Sequence, residues 1–441
     1  MSFLDHFQII HFLFSQMTPY TSTQIKRTSQ YWIDEYRIDG FRWDLTKGFT
    51  QNCTASDENC TNTSQPDRIA VLKEYADYQW AIESDFYIIF EHLGSNPEET
   101  QWVNYRLDEG KGIMMWSKLT DPYNESTLGY HENKKSDFSW IDYKNRNWTV
   151  PANVAYMESH DEERLMYKNL KFGNSSGTYN VKNLSTALER EKIAGAFYFT
   201  VPGPRMIWQF GELGYDYSIN TCENGTINND CRVSNKPIRW DYFDDPERKA
   251  VYDIWAKLIK LRHQEEIFKT ENFILDVAKA TGLKKIQLAD DNMGSSLKYV
   301  NIIGNFGVTT QNINPEFQET GIWYDLLDDN NQLNVSNVNQ FISLEPGEFK
   351  IYGSSQVALP VQEYDPLSGL NIYPNPTTDT FRINKNVQKV EIFDHTGRMI
   401  KSFSGDFYPD QEYNITFLKP SIYFLRISSE LGSSSKRLII E

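Results

Sequence analysis

The sequence has fewer basic than acidic side chains and no long apolar run. Its 441 residues include 44 Lys and Arg against 60 Asp and Glu, a formal net charge of −16. Nucleic acids and anionic membranes repel such a chain, so both are argued against as partners. No stretch approaches the roughly 20 apolar residues of a transmembrane helix. The opening MSFLDHFQIIHFLFSQM lacks a basic start and a small-residue cleavage site, so it makes a poor signal peptide.

Cysteine is also scarce, and the four cysteines lie in two close pairs. Cys53 and Cys60 share one stretch rich in Asn, Thr and Asp, and Cys222 and Cys231 share another. Two local disulfides, each closing a surface loop in an oxidising compartment, are the favoured interpretation. Four free thiols are the alternative. Zinc is less favoured, because neither spacing is usual for zinc ligands and no histidine flanks the pairs, and we assign no metal site.

What the first part of the chain does have is an alternation of helices and strands. Helical patterns cover 22–36, 67–84 and 185–200, and apolar strand patterns cover 38–45, 86–91, 112–119, 153–159 and 205–210. Such alternation implies parallel strands with right-handed crossovers, and near-continuous apolar strands fit a sheet covered on both faces. Asp245 as N-cap and Pro246 behind it start a last helix, to about residue 262.

The pattern changes near residue 269. Short alternating segments separated by Asn, Asp and Gly over 269–355 predict an all-β domain. Residues 356–369 are predicted to be a linker, and 370–441 a second small all-β domain. The fold class is therefore α/β, with a parallel barrel over 1–268 followed by these two β domains.

Three predicted strands end on a carboxylate: Asp44 after GFRW, Glu91 after IIF, and Asp161 just after YMESH. In a parallel barrel the carboxyl ends of the strands meet at one face, so these groups should share a pocket. Glycoside hydrolysis needs one carboxylate to attack the anomeric carbon and one acid of raised pKa to protonate the leaving oxygen. Arg42 points to the same side of its strand as Asp44 and would keep that carboxylate ionised. Taken singly, each carboxylate would be better interpreted as a solvated loop residue.

Four motifs together resemble the α-amylase family of glycoside hydrolases. GFRWD is similar to the nucleophile motif on the fourth strand of its TIM barrel, and FEHLG to the acid-bearing fifth-strand motif. ESHDEE is similar to the His-Asp motif at the seventh strand, and PGPRMIWQFGELG to the eighth. Their order and spacing agree over roughly residues 14 to 265.

The resemblance implies a role for each motif residue. Asp44 would be the nucleophile, Glu91 the acid/base and Asp161 the transition-state stabiliser, with Arg42 and His160 supporting them as substrate-binding residues. The implied reaction is retaining cleavage of α-1,4 links in starch, glycogen or maltodextrin, through a covalent glycosyl-aspartate. No cofactor is required. A structural Ca²⁺ is common in the family, but no ligand set can be assigned to it in this sequence.

Further residues complete these expectations. Lys47 matches a position that often contacts sugar beyond the cleavage point, with a solvated surface role as the alternative. Trp116 and Tyr123 are candidates to line the cleft, whereas Trp208 is assigned to the barrel core. Two other functions remain open for the same residues. One is a glucanotransferase or branching enzyme, and the other is a non-catalytic glucan-binding remnant.

The last residues resemble a second family, the C-terminal sorting domain of the type IX secretion system. The likeness rests on YPNP (373–376), Gly397, SIYFLRI (421–427) and the final KRLII. It implies the type IX machinery as a partner of 370–441 and a secreted or cell-surface location, in agreement with the paired cysteines. Residues 1–35 do not supply the three strands that precede GFRWD in the amylase family. We therefore expect an N-terminally truncated barrel, a partial (β/α)8 with strands from about the fourth onward. The unit over 269–355 resembles the β-sandwich that follows the barrel in the amylase family.

Overall fold

The computed structural model describes residues 19–54, 56–290, 297–328, 331–357, 369–429 and 432–441. The chain divides into two compact units, Met1–Leu359 and Pro360–Glu441. The opening stretch considered as a signal peptide and most of the predicted linker, residues 358–368, lie outside the described residues.

A parallel sheet forms the centre of the first unit. Its strands are β1 (Gly40–Trp43), β2 (Tyr87–Phe90), β3 (Met114–Lys118), β4 (Asn153–Tyr156) and β7 (Arg205–Met206), and a small hairpin of β5 (Ser175–Ser176) and β6 (Tyr179–Asn180) comes before β7 in the chain. The five strands lie in the order β1-β2-β3-β4-β7. Each neighbouring pair is parallel, so all the carboxyl ends point the same way. The predicted partial α/β barrel is confirmed.

Helices connect and cover these strands. They are α1 (Pro19–Tyr36), α2 (Glu58–Thr61), α3 (Pro66–Ile82), α4 (Asn96–Val103), α5 (Thr120–Leu128), α6 (Leu165–Phe172), α7 (Leu184–Phe199) and α8 (Pro246–Gln264). Helix α8 begins as predicted: the Asp245 carboxylate accepts from the amides of Glu247 and Arg248, at 2.9 and 3.2 Å. The sequence did not predict α4, α5 or α6, because short segments such as TDPYNESTL carry little apolar periodicity.

Antiparallel strands follow α8 within the same unit. They are β8 (Phe273–Asp276), β9 (Leu283–Ala289), β10 (Tyr299–Asn305), β11 (Gln311–Ile313), β12 (Gly321–Asp325), β13 (Gln332–Val335), β14 (Ile342–Leu344) and β15 (Phe349–Gly353). A six-stranded sheet has the order β13-β12-β15-β10-β9-β8, and β11 pairs with β14. The predicted boundary near residue 268 falls between α8 and β8.

One apolar core runs through the barrel and these β-sheets. The ring of Phe306, just after β10, lies 6.2 Å from Phe138 and 5.4 Å from Phe197 on α7. The guanidinium of Arg190, fully buried on α7, donates to the carbonyls of Thr127 and Gly307, each at 2.8 Å. A buried cation is tolerated where its donors are satisfied in this way. The β-sheets therefore pack against helix α7 of the barrel.

The second unit is built from β-strands with a core of its own. They are β16 (Ile372–Tyr373), β17 (Thr380–Ile383), β18 (Val387–Phe393), β19 (Met399–Phe407), β20 (Glu412–Asn414), β21 (Ser421–Ser429) and β22 (Gly432–Ile440). They form a three-stranded sheet, β16-β17-β20, and a four-stranded sheet, β19-β18-β21-β22. Phe381, Leu425 and Leu438 are buried between them. The second small all-β domain is confirmed.

Candidate active site

Arg42 brings the first two predicted carboxylates together. Strands β1 and β2 pair in register, with Trp43 opposite Phe90, so Asp44 and Glu91 leave the sheet at the same height. The Arg42 Nη1 atom donates to Asp44 Oδ1 at 2.9 Å and to Glu91 Oε2 at 2.6 Å. One guanidinium nitrogen thus contacts both carboxylates.

The two carboxylates differ in exposure. The Glu91 side chain is 7% exposed, whereas that of Asp44 is 54% exposed. Burial raises the pKa of Glu91, and the neighbouring Asp44 carboxylate raises it further, although the charge of Arg42 opposes both. Glu91 is therefore the group suited to hold a proton, and Asp44 the one open to an incoming molecule.

A left-handed turn follows Asp44. Leu45 has φ 42° and ψ 52°, a conformation that costs an L-residue roughly 1–2 kcal/mol. The turn aims two amides at Glu91: that of Leu45 lies 3.3 Å from Oε2, and that of Thr46 lies 2.9 Å from the carbonyl oxygen. The end of β1 is held onto the end of β2 by these contacts.

Asp161 and His160 lie on the loop after β4. His160 Nε2 is 3.0 Å from Asp161 Oδ2, and the two side chains are 39% and 41% exposed. This hydrogen bond raises the pKa of His160 and lowers that of Asp161. The charge of Arg42 also lowers the pKa of His160, and the charge of Glu91 raises it.

A cross-linked loop supports this third carboxylate. Cys222 and Cys231 form a disulfide, and the next residue, Arg232, donates from Nη2 to the main-chain carbonyl of Asp161. Glu163, two residues after Asp161, accepts from the amide of Ile219 at 2.8 Å. The segment that carries Asp161 is thus attached at two points to residues that flank the disulfide.

The Lys47 side chain is hydrogen-bonded to a residue outside the parallel sheet. Its Nζ donates to Asn62 Oδ1 at 2.9 Å, and burial lowers its pKa. Asn62 follows the second disulfide, between Cys53 and Cys60. The structure does not bring the ammonium into contact with Asp44 or Glu91, and a sugar contact for Lys47 stays a prediction.

Two tryptophans lie beside these groups. The Arg42 guanidinium is 5.3 Å from the Trp116 ring, and the rings of His160 and Trp208 are 5.8 Å apart. Trp208 and His160 line a cavity of about 370 Å³, so the assignment of Trp208 to the core was wrong. Tyr123 was also wrongly assigned to the cleft: it is fully buried, and its hydroxyl donates to the Phe197 carbonyl. The identity of an aromatic residue alone does not show whether its side chain is buried in the core or lines a cavity.

The described ranges contain neither a cluster of metal ligands nor a membrane-spanning helix. Within them, no three or more His, Cys, Asp or Glu side chains are arranged to hold a metal ion. A structural Ca²⁺ therefore stays a prediction without an assigned ligand set. Of the helices described, none is both long and apolar enough to cross a bilayer.

Two known protein families match separate parts of this chain. The model of the alpha amylase catalytic domain matches residues 13–256, more than half of the chain. The chain belongs to the α-amylase family. The model of the secretion system C-terminal sorting domain matches residues 371–441, which implies export to the cell surface or beyond. No curated protein matches this member of the family.

Solved structures of other family members share the fold. The α-amylase of Geobacillus thermoleovorans, complexed with acarbose, has a TM-score of 0.53 at 15% identity, covering 77% of this chain and 64% of that one. The Anoxybacillus α-amylase gives 0.54 at 17% identity, with 78% and 64% covered. Type I pullulanase of Bacillus subtilis, complexed with maltose, gives 0.55 at 15% identity, with 76% and 46% covered. The chain therefore spans less than two thirds of the length of these structures.

Proposed function

We propose that this chain is a retaining hydrolase that cleaves α-1,4 links in starch, glycogen or maltodextrin. The contact of Arg42 Nη1 with both Asp44 and Glu91 supports this most directly. Retaining enzymes hold their two carboxyl groups about 5–5.5 Å apart, whereas inverting enzymes need about 6.5–9.5 Å for a water molecule. A single nitrogen that reaches both groups favours the shorter spacing.

Each residue then has a chemical role. Asp44 attacks the anomeric carbon, and Glu91 protonates the leaving oxygen and later takes a proton from the attacking water. The raised pKa of Glu91 supports its role as the acid. Asp161, held by His160, stabilises the positive charge that develops on the sugar ring.

The substrate class follows from the same family. One similar structure holds acarbose and another holds maltose, which supports an α-glucan as the substrate of this chain. Because the similar structures include pullulanases as well as α-amylases, pullulan is the second substrate to test. The sorting domain supports type IX export as the route by which the enzyme would meet an external glucan.

Product analysis tests the proposal. The native chain is incubated with maltoheptaose and with pullulan, beside Glu91→Gln and a control, Glu189→Gln, on the exposed face of α7. We expect short maltooligosaccharides from the native chain and the control. Glu91→Gln should lose at least about 100-fold in rate while retaining binding, because only proton donation is removed.

The other outcomes are equally informative. Full rate in Glu91→Gln would contradict the assignment of the acid. Longer or branched products from maltoheptaose would identify a glucanotransferase instead. Absence of any product from the native chain would overturn the proposal and favour a non-catalytic glucan-binding protein.

A further inference from the structure

A chain of buried polar side chains lies beside Glu91, and no step of the proposed reaction uses it. Thr46, His92, Glu98 and Arg68 are each at most 1% exposed. They come from four places in the sequence: the turn after β1, the residue after Glu91, helix α4 and helix α3. Burying so many polar groups is unfavourable unless every one is hydrogen-bonded.

Contacts between these side chains are continuous. Arg68 donates to Glu98 from Nε at 2.9 Å and from Nη2 at 2.5 Å. Glu98 Oε2 is also 3.1 Å from His92 Nε2, and His92 Nδ1 is 3.1 Å from the Thr46 hydroxyl. Burial raises the pKa of Glu98, but the hydrogen bonds from His92 and Arg68 lower it by more, so Glu98 accepts as a carboxylate.

The direction of each hydrogen bond follows from that carboxylate. A carboxylate only accepts, so His92 Nε2 carries the ring proton and donates it to Glu98. Burial lowers the pKa of His92, which keeps the ring neutral. Its Nδ1 is then an acceptor, and it accepts a hydrogen bond from the Thr46 hydroxyl, which also lies 3.2 Å from the Glu91 carbonyl oxygen.

Both ends of the chain are anchored to the turn after Asp44. At one end, the amide of Thr46 donates to the Glu91 carbonyl at 2.9 Å. At the other, Arg68 Nη1 donates to the carbonyl of Lys47 at 2.7 Å. The space is closed as well as bonded, because a Cβ on Gly94 would lie 2.6 Å from His92 Nε2.

We propose that Thr46, His92, Glu98 and Arg68 form a positioning relay, which fixes the left-handed turn at Leu45 against the end of β2 and so sets the spacing between Asp44 and Glu91. A strained residue keeps its conformation only where its surroundings hold it. A buried ion pair by itself adds little net stability, whereas a fully satisfied buried network specifies one arrangement. The inference rests on the proposed function, since the distance that it sets is the one between nucleophile and acid.

Removal of one hydroxyl tests the relay. Thr46→Val keeps the volume and deletes the donor to His92, whereas Thr46→Ser keeps that donor. Thr200→Val is the matched control, because its buried hydroxyl donates to the Ala196 carbonyl at 2.7 Å on α7. We expect kcat for maltoheptaose to fall about 10- to 100-fold in Thr46→Val with KM within about twofold, because small displacements at a catalytic pair have effects of this order. Thr46→Ser should stay within about threefold of the native kcat.

A measurement on the native protein separates the relay from the proposed function. In histidine labelled with ¹⁵N, assigned with a His92→Gln variant, His92 should carry its proton on Nε2 and show a hydrogen-bonded Nδ1. That result in an inactive native chain would reject the proposed hydrolase and retain the relay. The relay would be overturned by a proton on His92 Nδ1, by an unchanged kcat in Thr46→Val, or by an equal loss of kcat in Thr200→Val. The first of these observations is made on the native protein, so it applies even if Thr46→Val does not fold.

Discussion

The two sides of the candidate site are held by different means. On the β1–β2 side, Asp44 and Glu91 rest on a buried polar network within the core. On the β4 side, His160 and Asp161 are about 40% exposed, and the contacts that hold their segment come from residues beside a disulfide. A buried hydrogen-bond network thus holds the two carboxylates whose spacing sets the chemistry. The third carboxylate is held by residues beside a disulfide.

The largest expected effect comes from Arg42→Lys. The lysine ammonium lies one bond closer to the backbone than Nη1 of arginine and lacks the planar group beside the Trp116 ring, so it does not reach the point where Nη1 contacts both carboxylates. We expect kcat/KM for maltoheptaose to fall by about 100-fold or more. On the other side, Arg232→Lys should lose at most about tenfold, because the Arg232 side chain donates to the main-chain carbonyl of Asp161, and lysine keeps a donor and the charge. Equal losses in the two variants would contradict the comparison.

Stability should show the next difference. Glu98→Gln leaves the buried Arg68 without its charged partner, and breaking a buried pair in this way lowers the free energy of unfolding by about 3–5 kcal/mol. Glu163→Gln weakens the hydrogen bonds from Ser218 and Ile219, which lie just before the disulfide. It should lower the free energy of unfolding by about 1–2 kcal/mol. Urea denaturation measures both. A loss from Glu163→Gln as large as that from Glu98→Gln would show that the loop, too, is held as part of the core.

The disulfides provide a matched pair of smaller changes. Each closes a short loop, so removing either one should lower the free energy of unfolding by about 2–3 kcal/mol. Only the double variant Cys222→Ser with Cys231→Ser should also reduce kcat, by about fivefold, because it loosens Arg232, which follows Cys231 and binds the carbonyl of Asp161. The variant at Cys53 and Cys60 should keep the native kcat, since Arg68 still binds the carbonyl of Thr61, the residue after that loop. Assays with maltoheptaose decide between these outcomes.

The smallest expected effect is a pH dependence on the β4 side. The hydrogen bond between His160 and Asp161 raises the pKa of His160 and lowers the pKa of Asp161. The stability from this pair is fully present between about pH 4 and 6.5, the ordinary pKa values of the two groups, and it is lost as the pH rises through the raised pKa of His160. Thermal melts from pH 6 to 9 should show a small decline that Asp161→Asn lacks. An identical decline in that variant would assign the effect to another group.

Some of this arrangement was readable in the sequence and some was not. Asp44, Glu91 and Asp161 were predicted because a carboxylate at the end of an apolar strand is conspicuous, and Asp245 because a cap beside a proline is a local signal. Arg68 and Glu98 were not predicted, because they are charged residues on helices, where the sequence pattern is the same for a solvated face. Their burial depends on side chains that arrive from separate segments, and only the fold brings those together.

The core shared by the barrel and the following β-sheets has a consequence for recombinant work. A polypeptide ending at residue 268 would lose Phe306, which covers Phe138 and Phe197, together with the carbonyl of Gly307 that Arg190 binds. The two parts should accordingly melt in one cooperative transition, and neither is a unit that can be exchanged between enzymes by itself. Fusions and domain swaps with this protein should be cut after Leu359, where the compact unit ends.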